Sequence, residues 1–342
     1  MQTIKRRLTA LQSCTAAAAV VFAVGVALTL IVALSGCSSQ SATEQPADES
    51  ASSEPAKVQV VASFYPMYDF AQKIGGDRVE VTNLVPAGTE PHDWEPSTDD
   101  IKTIDSADVL VYNGAGMEHW IDDTLASLDN KDLVSVEASK DVTLRALDEH
   151  EAAEEEAEHA DEGDEHDHGA YDPHVWLSPE NAKSEMAAIR DALVQADPDG
   201  ADEYNANYEK WAAECDALDS EFRDKLANTS SKNIVVSHEA FGYLCDAYGL
   251  NQVPIEGIDA DAEPDAKTLA SITEFVKEND VKTIFSEELV SPKVAQTIAD
   301  ETGATVEELN PIEGLTDEEL AAGQDYFSTM RSNLDELVKA LS

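Results

Sequence analysis

The amino-acid sequence predicts an α/β fold: two α/β lobes with mainly parallel sheets, joined by a long rigid helix. Three observations predict it. Short apolar runs of strand length alternate with segments of helical periodicity in two separate series. Between the series lies one long stretch whose apolar and aromatic residues recur every three or four positions. The 342 residues exceed one average domain, and 42% of them are apolar, enough to build cores.

The first series opens at Val58–Ala62, a continuous apolar run that suits a buried strand. Val79–Leu84, Asp108–Tyr112 and Leu133–Val136 are further strand candidates, and Met67–Ile74, Thr98–Ser106 and Met117–Leu128 read as helices. Asn181–Ala196 is amphipathic, with Ala, Met, Ile and Leu at helical spacing, and Asp197-Pro198 breaks it. The long helix then runs from about Asp199 to Asn228, with Tyr204, Tyr208, Trp211, Cys215, Leu218, Phe222 and Leu226 along one stripe. About 30 residues extend roughly 45 Å. The second series follows as strand Ile234–Val236, helix Ala240–Tyr248, strand Gln252–Glu256, helix Lys267–Asn279 and strand Thr283–Phe285. Helix Ser291–Thr302, strand Thr305–Leu309 and a closing helix Gln324–Leu341 complete it. The expected division is a first lobe over 57–197, a linking helix over 198–229 and a second lobe over 230–342. Ligands of parallel sheets sit beyond the carboxyl ends of the strands, and between two lobes those ends can face one cleft.

Ahead of the folded part, Lys5, Arg6 and Arg7 precede an uncharged apolar stretch from Ala16 to Leu34, and Leu34-Ser35-Gly36-Cys37 follows. The pattern resembles a bacterial lipoprotein signal over 1–36, with Cys37 acylated as the mature N-terminus. An uncleaved membrane anchor is the alternative, since about 20 apolar residues span a bilayer. Either way the bulk of the chain is expected outside the cytoplasmic membrane and tied to it. Residues 37–56, rich in Ser, Ala, Glu and Pro, read as a disordered tether.

With 22 basic and 70 acidic residues, the formal net charge is −48. Nucleic-acid binding is excluded, because phosphate contacts need clustered Lys and Arg. Acidity alone does not imply cation binding, since it equally serves solubility. Of four cysteines, Cys14 lies in the signal and Cys37 at its end; Cys215 and Cys245 either pair or stay as buried thiols, and they lack metal-ligand spacing.

Eight histidines carry the chemistry. His150, His159, His166 and His168 fall within Asp148–His168, a tract with twelve acids that cannot form a core and reads as a loop able to gather metal weakly. It is equally an acidic insertion with incidental histidines. His92 sits in the proline-bounded Glu90-Pro91-His92-Asp93-Trp94-Glu95-Pro96, His174 in Asp172-Pro173-His174-Val175-Trp176-Leu177, and His238 at the end of an apolar strand. Any one of these alone is more simply a capping or hydrogen-bonding residue. Three on loops at strand ends make a more specific pattern, because three imidazoles and a carboxylate fill a tetrahedral Zn²⁺ shell. His119, within a helix-like stretch, reads as structural.

The lipoprotein junction, Pro91-His92-Asp93-Trp94-Glu95-Pro96, the acidic histidine loop, Asp172 to Pro179, Ser237-His238-Glu239-Ala240-Phe241-Gly242-Tyr243 and Ile284-Phe285-Ser286-Glu287-Glu288-Leu289-Val290-Ser291 occur in that order. Together they closely resemble the zinc-type solute-binding lipoproteins of ATP-binding-cassette metal importers, over nearly everything after the tether. The resemblance implies two lobes on a rigid helix with the metal in the cleft, and high-affinity Zn²⁺ capture and delivery to the permease and its ATPase. A monomer is expected, and no enzyme, because a fourth, carboxylate ligand would close the shell and no nucleophile–base arrangement is recognisable. Carried over by position, the resemblance makes His92, His174 and His238 ligands and Glu287 the acidic fourth. Manganese-type relatives place an acid where His238 stands, so the nitrogen-rich set favours zinc. A metal-dependent surface adhesin remains an alternative. So, more remotely, does a zinc hydrolase, for which Glu239 or Glu288 would be the general base.

Overall fold

In the computed structural model, the described residues are 56–147, 171–258, 260 and 264–342. The signal, Cys37, nearly all of the tether and the four histidines of the acidic tract lie outside them.

Two four-stranded parallel sheets organise the chain. The first holds β1 (Val58–Ala62), β2 (Val79–Asn83), β3 (Val109–Tyr112) and β4 (Val134–Glu137) in the order β2-β1-β3-β4. The second holds β5 (Asn233–Val236), β6 (Asn251–Pro254), β7 (Thr283–Ser286) and β8 (Thr305–Glu308) in the order β6-β5-β7-β8. Val60 pairs with Val81 and Val109, and Ile284 pairs with Val235 and Val306. The same winding occurs in both, so each sheet reverses its strand order at its centre, between β1 and β3 and between β5 and β7. Loops leaving those strands diverge there and open a crevice.

Helices cover both faces: α1 (Tyr65–Gly75), α2 (Thr98–Asp105), α3 (Ile121–Ser127) and α4 (Pro179–Ala196) go with the first sheet. The second sheet has α6 (Gly242–Tyr248), α7 (Ala266–Glu278), α8 (Lys293–Thr302), α9 (Asp317–Ala321) and α10 (Tyr326–Leu341). Between them runs α5 (Ala201–Leu226), whose 26 residues extend about 39 Å. Strand residues alternate between cores, as a two-residue period demands. Val58, Val60 and Ala62 join the largest apolar cluster, whereas Val61 joins Leu84, Ile104 and Leu110 on the other face. Likewise Ile234 and Val236 enter the largest cluster, while Val235 packs with Ile272, Ile284 and Ile298. That cluster also takes in Phe222 of α5 and Leu334 of α10, so one continuous core runs through both lobes. Trp211 donates its indole N–H to Lys73 O, Asn207 donates to Ile74 O, and Phe70 meets Tyr326 edge-on at 5.0 Å. The closing helix therefore packs on the first lobe as well as the second.

Element ends differ from the sequence pattern where turns intervene. Helix α3 starts at Ile121 rather than Met117, because Gly114, Ala115 and Gly116 all adopt positive φ (82°, 56° and 93°) and the following four residues finish the turn. His119 consequently lies outside a helix, its Nε2 3.7 Å from Glu95 Oε1. Helix α8 starts at Lys293 after Pro292. Helix α9 has no counterpart in the sequence reading, although Thr316 and Glu319 form the capping box that announces it. Cys215 and Cys245 are both buried free thiols.

Candidate metal centre

Three loops at the carboxyl ends of strands and one segment ahead of a helix converge between the sheets. The loop after β2 carries His92, the β5–α6 loop carries His238 and the loop after β8 carries Glu313. His174 lies just before α4, on a segment held to the end of β3. That hold is built from buried polar groups. The Glu118 carboxylate accepts from Ser63 Oγ at 2.6 Å and from the backbone N–H groups of Asn113 and Gly114, and Asn113 Nδ2 donates to Pro173 O at 2.9 Å. Farther along, Trp176 donates to Pro311 O at 2.8 Å, linking the His174 segment to the Glu313 loop.

The donor atoms meet closely. His92, His174, His238 and Glu313 each offer one ligand atom, all within 4.8 Å of one another. His174 Nε2 lies 3.2 Å from His92 Nε2 and 3.2 Å from His238 Nε2, and Glu313 Oε1 is 3.3, 3.0 and 3.2 Å from His92, His174 and His238. A tetrahedral ion with bonds of about 2.0–2.1 Å separates its donors by about 3.3 Å, so the cluster is zinc-sized.

The outer nitrogens fix which way the rings face. His174 Nδ1 donates to Asp172 Oδ1 at 2.9 Å, and His238 Nδ1 donates to Glu287 Oε2 at 2.7 Å. With a proton kept on each Nδ1, it is Nε2 that gives up its proton to a metal, and the lone pair so freed points at the cluster. Lone pairs and a carboxylate oxygen converging this closely repel unless a cation, proton or metal, stands among them. Asp172 is itself wholly buried and lies 3.4 Å from Arg145 Nη1. The approach is so close that a Cβ on Gly242 would come within 2.4 Å of Asp172 Oδ2.

Burial and charge compete at each group. Burial alone would raise the Glu313 carboxyl, but the His238 charge and hydrogen bonds from the three imidazoles hold it well below the usual carboxylate range. Burial alone would lower His92, yet its hydrogen bond and charge contact with Glu313, helped by Glu90, raise it to about 9. His238 is also driven well above the ordinary imidazole value: Glu287 and Glu313 overcome its burial.

The structure thus brings His92, His174 and His238 together as the sequence suggests and sets Glu287 apart. Glu287 accepts from the Nδ1 and the backbone N–H of His238, behind the ring rather than at the cluster. Glu313 takes the fourth position. Sequence reasoning missed it, though it is the sole acid in Leu309-Asn310-Pro311-Ile312-Glu313-Gly314-Leu315, a proline- and glycine-bearing loop after a strand, like the loop that carries His92. Its presentation rests on a feature no pattern reveals. Ile312, β-branched and fully buried, holds φ of 62°, secured by its N–H on Asn310 Oδ1 and by the Asn310–Asn333 pair. Glu288 neither caps α8 nor faces solvent; both its oxygens are buried without a partner, and burial pushes it up to about 9. Glu239 lies 3.5 Å from Arg145.

A two-lobed α/β scaffold with a buried three-histidine, one-carboxylate cluster at its strand ends defines a metal-capturing binding protein. The family described as "Zinc-uptake complex component A periplasmic" (ZnuA) matches residues 60–340, and the chain belongs to it. That family is a transport component, not an enzyme. The zinc-binding protein AdcA of Streptococcus pyogenes serotype M3 is 43% identical over 82% of this chain and 55% of its own length. The high-affinity zinc uptake system protein ZnuA of Bacillus subtilis is 42% identical over 85% of this chain and 90% of its own. The chain spans about half the length of the AdcA relatives it matches. Among solved structures, the Zn(II)-bound ZnuA-like domain of Streptococcus pneumoniae AdcA superposes with a TM-score of 0.71 at 37% identity, covering 84% of this chain and 99% of that domain. The laminin-binding protein Lmb of Streptococcus agalactiae, described as bifunctional with adhesin and metal transporting activity, gives 0.72 at 35% identity, over 84% of this chain and 100% of Lmb.

Proposed function

We infer that this protein captures Zn²⁺ outside the cytoplasmic membrane and hands it to an ATP-binding-cassette importer, with His92, His174, His238 and Glu313 as the ligands. The observation that carries the reading is the convergence of three Nε2 atoms on one Glu313 oxygen at 3.0–3.3 Å, the donor spacing of a tetrahedral zinc site. Four protein donors close the shell, as cargo binding requires and metal-assisted hydrolysis does not. Nitrogen-rich ligation selects zinc over the harder Mn²⁺. Membership of a zinc-uptake family and likeness to a Zn(II)-bound domain point the same way.

The anchoring through Cys37, the permease and ATPase as partners and a monomeric state belong to the same proposal. So do the lobes over 57–197 and 230–342 with their linking helix over 198–229, and the gathering of metal by His150, His159, His166 and His168. Among the described residues no helix is long and apolar enough to cross a membrane. Adhesion is a second reading, supported by the likeness to Lmb; matrix binding that survives His92→Ala would separate it from metal capture.

Equilibrium titration with zinc against a competing chelator tests the ligand set. Alanine at His174, His238 or Glu313 is expected to weaken binding by more than about a hundredfold, above the 10–100-fold loss typical of groups one step behind the ligands. Wild-type affinity in any of the three would remove that residue from the shell.

A further inference from the structure

Arg145 stands behind the cluster, where the segments carrying His174 and His238 meet. Its backbone belongs to a short antiparallel pairing: Ala146 bridges Tyr171, and Arg145 O accepts from Asp172 N at 2.9 Å. Tyr243 of α6 ties that pairing to the other sheet's helices. Its hydroxyl accepts from the Arg145 N–H at 3.0 Å and donates to Asp172 O at 2.9 Å. The guanidinium lies 3.4 Å from Asp172 Oδ2, 3.5 Å from Glu239 Oε1 and 3.7 Å from Asp246 Oδ2. Asp172 gives its other oxygen to the Nδ1 and the backbone N–H of His174, and Glu239 directly follows His238. One cation thus bears on the carboxylate that aims one histidine and on the sequence neighbour of another.

Two observations separate this arrangement from a surface ion pair, which contributes little. The side chains of Asp172 and Glu239 are only 0% and 5% exposed, so the partners are sealed although solvent reaches the guanidinium. And α6 opens on the residue that leaves room for both groups: a Cβ on Gly242 would meet Asp172 Oδ2 at 2.4 Å and Arg145 Cδ and Cζ at 3.0 Å. Building on the zinc-capture reading above, we propose that Arg145 is a positioning residue for zinc capture, fixing Asp172 from behind so that His174 Nε2 stays on the cluster. His174 Nε2 lies 3.0–3.2 Å from the other three donors, and a swing of its ring by about 1 Å would open the shell. Through Glu239 and Tyr243 the same arginine ties that aim to the segment carrying His238.

Zinc affinity of the full chain by chelator competition, and the visible spectrum of the chain loaded with Co²⁺ alone, test this. Cobalt absorption reports the geometry of its donors, which an arginine acting only on the fold would leave as it is. Arg145→Met is expected to weaken zinc by about ten- to a hundredfold and to alter the cobalt spectrum. Arg145→Lys keeps the charge and is expected to recover part of both, since the contacts are single N–H groups at 3.4 Å and beyond rather than a paired fork. Gly242→Ala forces Asp172 and Arg145 apart with both charges in place, and should reproduce the loss by a second route. Arg145→Met added to Asp172→Asn should cost no more than Asp172→Asn alone, because the arginine acts through that carboxylate. Arg331→Met, removing an arginine paired with Glu214 and Glu221 of α5, should leave affinity and spectrum alone. Wild-type affinity and spectrum in Arg145→Met would overturn the proposal. So would fully additive losses in the double variant, or an equal loss in Arg331→Met. A wild-type chain that bound neither metal would remove the capture reading and this proposal with it, whereas tight wild-type binding beside unaffected variants removes the proposal alone.

Discussion

Glu313 and Glu287 follow neighbouring strands and both touch His238, yet they act from opposite ends of its ring. Glu313 meets Nε2 at 3.2 Å, and Glu287 meets Nδ1 at 2.7 Å. The first competes for the ion directly; the second holds the tautomer that exposes the lone pair and raises its basicity. Glu287→Gln keeps an acceptor on Nδ1 and is expected to cost zinc affinity about tenfold, against more than about a hundredfold for Glu313→Gln. The reverse order in a chelator competition would return the fourth ligand to Glu287. His92 and His238, both held above the ordinary imidazole value by nearby carboxylates, share the pH dependence, and His92 marks its lower end. Its folded value near 9 lies above the ordinary imidazole 6.5, so before zinc arrives it carries a proton at pH 7.5. The contribution of that charge to the fold is complete below 6.5 and is lost as pH rises through about 9. Zinc must displace the proton, so binding should release protons at pH 7.5 and strengthen as pH rises from 7.5 towards 9, read as a buffer-dependent binding enthalpy. An enthalpy indifferent to the buffer would contradict it.

At the scale of elements, strands and helices were legible because their apolar periods match burial almost residue by residue, as Val60 and Val61 show by entering different cores. The His92 and His174 segments were legible because prolines fix them, and His238 because it ends an apolar strand. What stayed hidden depends on conformation rather than composition: a buried isoleucine at positive φ presents Glu313, and the positive-φ run at Gly114–Gly116 delays α3. Helix α4 carries another unreadable feature. Glu185 is fully buried with both oxygens unpartnered, and burial, with the nearby Glu118, raises it well above the ordinary carboxyl value. The folded protein keeps it neutral while the unfolded chain ionises it above about pH 4.5, so it erodes stability as pH rises from there. Glu185→Met is therefore expected to raise the Tm at pH 8 and to gain much less at pH 4.5, measured by thermal melts; an equal gain at both would mean Glu185 does not stay neutral.

Across the whole molecule, two copies of one winding bring the four proposed ligands together from four separate segments. Closing the shell therefore requires both lobes at once, and zinc should stabilise the pair as a unit. The surplus of acids, 70 against 22 basic residues, keeps the protein soluble and attracts cations loosely, whereas selectivity resides in the buried nitrogens. Deleting 148–168 is accordingly expected to remove weak extra metal equivalents and leave tight binding intact; loss of the tight site would tie capture to that tract. The central claim is that one ion sits among His92, His174, His238 and Glu313. Crystals grown with one equivalent of zinc and measured on both sides of the zinc absorption edge test it most directly. The account predicts a single strong anomalous peak about 2.0–2.2 Å from the three Nε2 atoms and a Glu313 oxygen. A principal peak elsewhere, or one ligated by Glu287 in place of Glu313, would contradict it.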